Sequence, residues 1–244
     1  VITKKISKLI KILQTYYYIK ALVRFGVAAG VEHTKIFNHL KSNDFQTIVD
    51  VGANRGQFVL VARRQFPQAR IISFEPLEEA AAVFRRVFKS DPLTSLHQIA
   101  IGPEEKQLPM HVSHADDSSS LMPISDLQSR IFPGTEEKEI RNIEVKPLNA
   151  ILSAKDIITP ALLKIDVQGF ERDVLKGCLS LLSSFKYIYI ECSFMELYIG
   201  QALAHEIIAF MEKEGFFLSG VYDLSYDRQG IAVQGDFLFM RSET

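Results

Sequence analysis

The sequence predicts an α/β fold: a doubly wound, mostly parallel sheet with an antiparallel edge, an inserted hairpin and a helical N-terminal segment. Three observations carry this. From Thr47 onward, short apolar runs of strand length alternate with amphipathic stretches of helix length. A glycine turn or an acid stands where the early strands end, as in open sheets that bind ligands at their carboxyl edge. The last two strand candidates follow each other with no helix between them, so they pair antiparallel.

Taken in order, residues 1–24 read as helix. Ile6, Leu9, Ile10 and Leu13 recur at i, i+3, i+4 and i+7, with Lys4, Lys5, Lys8 and Lys11 on the other side. The lysines interrupt any signal-peptide core. A second helix, about 32–40, runs into a Ser42-Asn43-Asp44 break. Buried parallel strands are expected at 47–51, 71–74, 93–100, 161–167 and 187–192, and helices at 57–65, 77–88, 170–182 and 203–214. Strands at 216–222 and 236–240 close the sheet. Residues 103–150 are too many for an ordinary connection; Leu108-Met110-Val112 and Ile143-Val145 alternate around a polar middle and read as an inserted hairpin and lid. The chain thus divides into a helical appendage, 1–45, and a sheet domain, 46–244.

With 244 residues, 47% hydrophobic and 23% charged, the chain has ample core and is too apolar for disorder. No uncharged apolar stretch approaches the ~18 residues of a membrane span. Its two cysteines, Cys178 and Cys192, form no disulfide framework and suit buried thiols in a reducing, cytoplasmic compartment. The net charge of −1 conceals an asymmetry: residues 1–24 hold six basic side chains and no acid, against 22 basic and 29 acidic in the rest. This balance gives little support to a nucleic-acid partner. The basic helix has three readings, ranked in this order: a cap packed on the domain, a wall of the substrate pocket, or a peripheral contact with an anionic membrane through lysines and Tyr16-Tyr17-Tyr18.

The sharpest local feature is the run from Val49 to Phe58. A strand ends at Asp50-Val51, a turn spaced Gly52-x-x-x-Gly56 with Asn54 inside it follows, and a helix begins. Glycines there let backbone approach a ligand, and Asn tolerates positive φ. The spacing is neither the dinucleotide fingerprint nor a P-loop. Glu75, 25 residues after Asp50, closes the second strand, where a carboxylate can accept both ribose hydroxyls and repel a 2′-phosphate. The blander alternative makes Glu75 a solvated acid and Asp50 a helix cap.

Asp166 ends the fourth strand and Glu191 the fifth, and Lys164, two positions before Asp166, points the same way. A lysine in so apolar a run is either catalytic or ion-paired with an acid of a neighbouring strand such as Glu191. Glu171 reads as a first-turn acid favoured by the helix dipole. His111-x-x-His114 with Asp116-Asp117 resembles a metal cluster, but residues three apart on a strand face opposite ways, so solvated lid groups are expected, with His114 a lesser candidate base. Spacing does not support a Mg²⁺ site at Asp166 and Glu191, and no metal ligands are assigned. No Gly-x-Ser-x-Gly, His-Glu-x-x-His or Cys-x-x-Cys occurs.

Five segments together resemble the FkbM family: Asp50-Val51-Gly52-Ala53-Asn54-Arg55-Gly56, Phe74-Glu75-Pro76, Ala100-Ile101-Gly102, Ser118-Ser119-Ser120-Leu121, and Leu163-Lys164-Ile165-Asp166-Val167-Gln168-Gly169-Phe170-Glu171. These are S-adenosylmethionine-dependent methyltransferases of the class I Rossmann-like fold. The resemblance runs from about Thr47 to Met240, and Gln168-Gly169-Phe170-Glu171 is its most specific piece. It departs at Leu148-Asn149, where Leu-Asp is expected, and at Gln98, where Asn is common. The resemblance implies that Asp50, Gly52, Asn54 and Gly56 surround the methionine part of the cofactor, Glu75 its ribose and Ala100 its adenine side. It places the catalytic candidates Asp166, Glu191 and Lys164 nearby. An acid-lined rim of Asp50, Glu75, Asp166 and Glu191 suits a cationic sulfonium. The implied reaction methylates a hydroxyl of a sugar or glycoconjugate, with S-adenosylhomocysteine as product; a polyketide-type acceptor is the alternative. A nicotinamide-dependent oxidoreductase is disfavoured by the missing glycine, and a non-catalytic nucleoside-binding scaffold would make the site superfluous.

Overall fold

The structure is a computed structural model that describes residues 2–40 and 44–242. Ser42-Asn43 of the expected break lie outside these residues, as do the side chains of Lys4 and Lys5. Two helices, α1 (Ile2–Leu13) and α2 (Tyr16–Phe25), and a short α3 (Thr34–Leu40) precede the sheet. Then come β1 (Thr47–Val51), α4 (Gln57–Gln65), β2 (Arg70–Phe74), α5 (Glu78–Val87), β3 (Thr94–His97) and β4 (Ala100–Ile101). The insert holds β5 (Lys106–Ser113), α6 (Asp126–Ile131) and β6 (Glu137–Lys146). The chain ends through β7 (Ala161–Ile165), α7 (Glu171–Cys178), β8 (Tyr187–Ser193), α8 (Ala204–Lys213), β9 (Phe216–Tyr226) and β10 (Ala232–Arg241).

The main sheet runs β3-β2-β1-β7-β8-β10-β9. Pairings from β3 to β8 are parallel, while β10 lies antiparallel to both β8 and β9 and makes the antiparallel edge. Every residue of β1 and β7 is buried, as continuous apolar runs covered on both faces require. One face packs Val49, Ile72, Leu163 and Ile188 against α7 and α8. The other packs Ile48, Ile71 and Leu162 against α4 and the N-terminal segment, which contributes Ile12, Tyr18, Ala21, Val27, Val31, Phe37 and Phe45.

The expected strand 93–100 is two strands in two sheets. β3 pairs with β2 only as far as His97 opposite Phe74, where β2 ends. The chain then leaves the sheet, and Ala100 and Ile101 pair instead with Val145 and Lys146 of the insert. The strand expected to 167 stops at Ile165, because Gln168 (φ 58°) and Gly169 (φ 100°) turn the backbone. The helix expected to 182 becomes a 3₁₀ turn after Cys178. The insert hairpin β5–β6 pairs antiparallel and sets Met110 and Val112 against Leu77 and Ala80, at the start of α5.

The N-terminal helix packs with its periodic stripe outward. Ile6, Leu9, Ile10 and Leu13 are 48–55% exposed, whereas Ile12 is buried and Lys8 turns inward to Glu32 at 2.9 Å. Periodicity shows which residues share a face and leaves open which face docks. Among the described residues, no helix is long and apolar enough to cross a membrane. Cys178 and Cys192 are both free and buried.

Candidate active site

A cavity of about 210 Å³ opens at the carboxyl ends of β1, β2 and β7, where a doubly wound sheet is expected to bind ligands. Its inner wall is apolar, built from Phe74, Leu77, Ile99, Ala100, Ile101 and Phe170. Met110, Ser119 and Leu121 of the insert close one side, and Lys8, Glu32 and His33 of the N-terminal segment close another.

The β1–α4 turn forms the near edge, with Gly52, Asn54 and Gly56 all at positive φ. Its glycines serve internal packing more than ligand approach. A Cβ on Gly52 (φ 82°) would land inside the carbonyl of Asp166, and one on Gly56 (φ 91°) would overlap the ring of Phe88. Phe74 O accepts from the N–H groups of Gly52 and Ala53, both at 3.0 Å. Glu75 completes the turn: its Oε2 accepts from Asn54 N at 2.9 Å and its Oε1 from Leu77 N at 2.8 Å. It is therefore a buried acid holding the turn to α5, contrary to the solvated alternative. Each of its oxygens retains a lone pair and the residue lines the cavity.

Lys164 and Asp50 form the floor. They are in-register neighbours on β7 and β1, which sets the ammonium 3.1 Å from Asp50 Oδ1. The angles there do not make a hydrogen bond, and among the described residues both Asp50 oxygens lack one, so the contact is Coulombic. The same ammonium donates to Gly52 O at 2.8 Å, lies 3.6 Å from Asp166 Oδ2 and sits over the Phe58 ring at 5.6 Å. Burial alone would lower the lysine pKa, but Asp50 and Asp166 raise it, so the ammonium stays charged. The ion pair expected with Glu191 does not form, because Lys164 is level with Tyr189 and Glu191 lies two residues further along β8.

Gln168 organises the acids beside this floor. Its Nε2 donates to Asp166 Oδ1 and to Glu191 Oε2, both at 2.8 Å, and its Oε1 accepts from Tyr198 Oη at 2.8 Å. Glu191 also accepts from Gln234 Nε2 at 2.7 Å. Burial, with Asp166 and Asp236 nearby, pushes the Glu191 carboxyl well up. Glu171 caps the turn after β7, accepting from Val167 N and Gly169 N.

Of the candidate residues, the structure brings Gly52, Asn54, Glu75, Ala100, Lys164 and Asp166 to the cavity wall. Asp50 lies beneath that wall, Gly56 behind the turn and Glu191 behind Gln168, so the expected four-acid rim reduces to Glu75 and Asp166. Gln98 is tied to Glu78 and Arg85 at the surface, away from the apolar wall. His111 pairs with Glu137 across the hairpin. Sequence reasoning missed His33, Phe58, Tyr189 and Asp236. His33 Nδ1 lies 3.0 Å from Tyr189 Oη, which donates to Asp236 Oδ2 at 2.7 Å. No motif marks them; they meet only because the N-terminal segment and β10 fold over the same side of β8.

So much buried acid fixes the pH dependence of stability. Burial pushes the carboxyls of Glu75, Glu171 and Asp236 each up to about 7. In the unfolded chain such acids are ionised above pH ~5. Between pH 6.5 and 8 the folded state therefore binds more protons than the unfolded one, and stability declines as pH rises, by roughly 0.8 kcal/mol per group. For three groups the melting temperature should drop by about 5–10 °C across that window. A Tm that climbed instead would contradict the shifts.

The methyltransferase FkbM domain matches residues 50–218. The chain is 30% identical over 180 residues to 2-O-methyltransferase NoeI of Sinorhizobium fredii, covering 69% of this chain and 72% of that protein. It is 30% identical over 146 residues to Methyltransferase 1 of Beauveria bassiana, covering 55% of this chain and 59% of that relative's length. Among solved structures, a candidate O-methyltransferase from Klebsiella pneumoniae shares the fold at TM-score 0.50 and 13% identity, over 92% of this chain and 87% of that one.

Proposed function

The chain belongs to the methyltransferase FkbM family, and from that membership we propose that it is an S-adenosylmethionine-dependent O-methyltransferase acting on a hydroxyl of a sugar or glycoconjugate. One observation carries the cofactor half of this reading: a buried carboxylate, Glu75, with lone pairs to spare, stands at the mouth of an apolar slot at the ends of β1 and β2. Ribose hydroxyls suit Glu75, and a flat base suits the slot of Phe74, Ile99, Ala100 and Ile101. Gln57 Oε1, buried in the same wall without a partner among the described residues, offers a further acceptor. The remaining carboxylate, Asp166, is 34% exposed and favours a cation beside it. When bound, S-adenosylmethionine supplies a methyl group already activated by its positive sulfur. The protein's own task is then to align the acceptor oxygen with that carbon, worth about 7–11 kcal/mol of barrier, and to remove the hydroxyl proton.

The acceptor half rests on the outer wall, where Lys8, Glu32, Ser119 and Gln168 present several donors and acceptors to a polyhydroxylic ligand. The relative named a 2-O-methyltransferase supports an oxygen acceptor.

Calorimetry with S-adenosylhomocysteine and with NAD tests the first half; binding of NAD alone would overturn it. At pH 8, above the value of about 7 to which burial raises Glu75, Glu75→Gln replaces a charged acceptor and should weaken S-adenosylhomocysteine about 10- to 100-fold, the worth of one hydrogen bond to an ionised group. Unchanged affinity would remove Glu75 from the ribose. A screen of radiolabelled methyl transfer to mono- and oligosaccharides tests the second half, and transfer to polyketide-type hydroxyls alone would move the acceptor class.

A further inference from the structure

The methyltransferase reading leaves the base that takes the acceptor's proton unassigned, and the two carboxylates nearest the chemistry are poorly placed for it. Asp166 gives one oxygen to Gln168 and turns the other toward the Lys164 ammonium. Glu191 accepts at both oxygens and lies behind Gln168. Resting on that reading, we propose that His33 Nε2 is the general base for the acceptor hydroxyl, with Tyr189 and Asp236 as positioning residues.

His33 ends the 3₁₀ turn before α3 and lines the cavity beside Lys164 and Asp166. It and Asp236 lie on either side of the matched residues 50–218, and Tyr189 lies within them. Hydrogen bonding fixes the tautomer. With Asp236 ionised, Tyr189 donates its single phenolic proton to Asp236 Oδ2 at 2.7 Å, so toward His33, 3.0 Å away, its oxygen can only accept. Nδ1 must then carry the hydrogen, which leaves the lone pair on Nε2. Among the described residues Nε2 has no hydrogen-bond partner. The side chain is 14% exposed, and the space it borders is the cavity. Edge contacts with Phe58 and Tyr189, at 5.3 and 5.7 Å between ring centroids, hold the imidazole plane.

The charged groups facing this ring are Glu32 with its partner Lys8, Lys164 and Asp166 on the β7 side, and Asp223 and Asp236 from β9 and β10. Burial, aided by Lys164, outweighs the acids and keeps the imidazole below its ordinary pKa, hence neutral and able to accept at pH 7. In the transfer step the acceptor oxygen forms its bond to the methyl carbon and the electron pair of the breaking C–S bond passes to sulfur. The hydroxyl proton moves to Nε2. The positive ring is held through Nδ1–H, Tyr189 and Asp236 until it releases its proton to water.

Two measurements on the full chain test this. Nitrogen NMR of the His33 imidazole, assigned with His33→Gln and recorded with S-adenosylhomocysteine at pH 7.5, should show a neutral ring protonated at Nδ1. Tyr189→Phe should erase that preference. Protonation at Nε2, or a charged ring, overturns the proposal whether or not an acceptor is in hand. With the sugar acceptor from the screen, His33→Gln should lower kcat about 10²- to 10⁴-fold and abolish the acid limb of the kcat/KM profile. Its S-adenosylhomocysteine affinity should stay near wild type, which reports that the variant is folded. Wild-type kcat in His33→Gln, or a change in KM alone, overturns the base while leaving the methyltransferase reading intact. Failure of the wild-type chain to bind S-adenosylhomocysteine defeats that reading itself.

Discussion

Lys164→Met is expected to destabilise the protein by about 3–5 kcal/mol, the cost of leaving a buried charge without its partner. Asp50 is wholly buried, and among the described residues its oxygens have no hydrogen bond, only the ammonium 3.1 Å away. Methionine fills the space of the lysine stem and supplies no charge, so the loss is electrostatic, not a cavity effect. The carbonyl of Gly52 also forfeits its donor. In the variant, Asp50 must take a proton to stay buried, which raises its folded pKa further above the unfolded value. Stability of Lys164→Met should therefore fall as pH rises from about 4, where the unfolded acid begins to ionise. Adding Asp50→Asn removes the stranded charge, and the double variant should be more stable than Lys164→Met alone. Urea unfolding of the four proteins measures both quantities. A single-variant loss below ~1 kcal/mol, in the range of an exposed pair, would mean that water reaches this floor.

That pair also shows where sequence reasoning stops. The strand 47–51 and the helix 57–65 coincide with β1 and α4, because burial on both faces of β1 and a glycine turn before α4 leave local signals. The odd lysine of β7 was equally visible, yet its partner depends on register across two strands, and register pairs Lys164 with Asp50 on one side and Tyr189 on the other. The strand expected at 93–100 divides because its second half follows the insert, a partner some 45 residues away along the chain. β10 is longer than the expected 236–240 because register shifts at Gln234 blur its alternation. Glu75 was legible as a strand-end acid, whereas the two backbone donors that bury it are not written in the sequence. His33 has no local signature at all. Its placement depends on Tyr189 and Asp236, both more than 150 residues away.

Gly52→Ala should cost more than any other single-methyl addition to the turn, on the order of 3–5 kcal/mol, the range of severe backbone or packing conflicts. Two effects combine. At φ 82° an alanine is strained by about 1–2 kcal/mol from sterics within its own residue. Its methyl would also occupy the carbonyl of Asp166, which is backbone and cannot rotate aside. Relief requires the ends of β1 and β7 to separate, although Asp166 N donates to Val51 O at 3.1 Å across that junction. Separation carries the Asp166 carboxylate away from Lys164 and Gln168, so cofactor binding should weaken together with stability. Gly200→Ala divides the two effects, because Gly200 has φ 84° and open space where its Cβ would stand. It should show the conformational cost alone. Denaturant unfolding should place Gly52→Ala at least 2 kcal/mol below Gly200→Ala, roughly the excess that overpacking adds to backbone strain. Equal losses in the two variants would show that the β1–β7 junction yields easily. The tight approach of Asp166 to the glycine turn would then be no constraint on where the site's carboxylate stands.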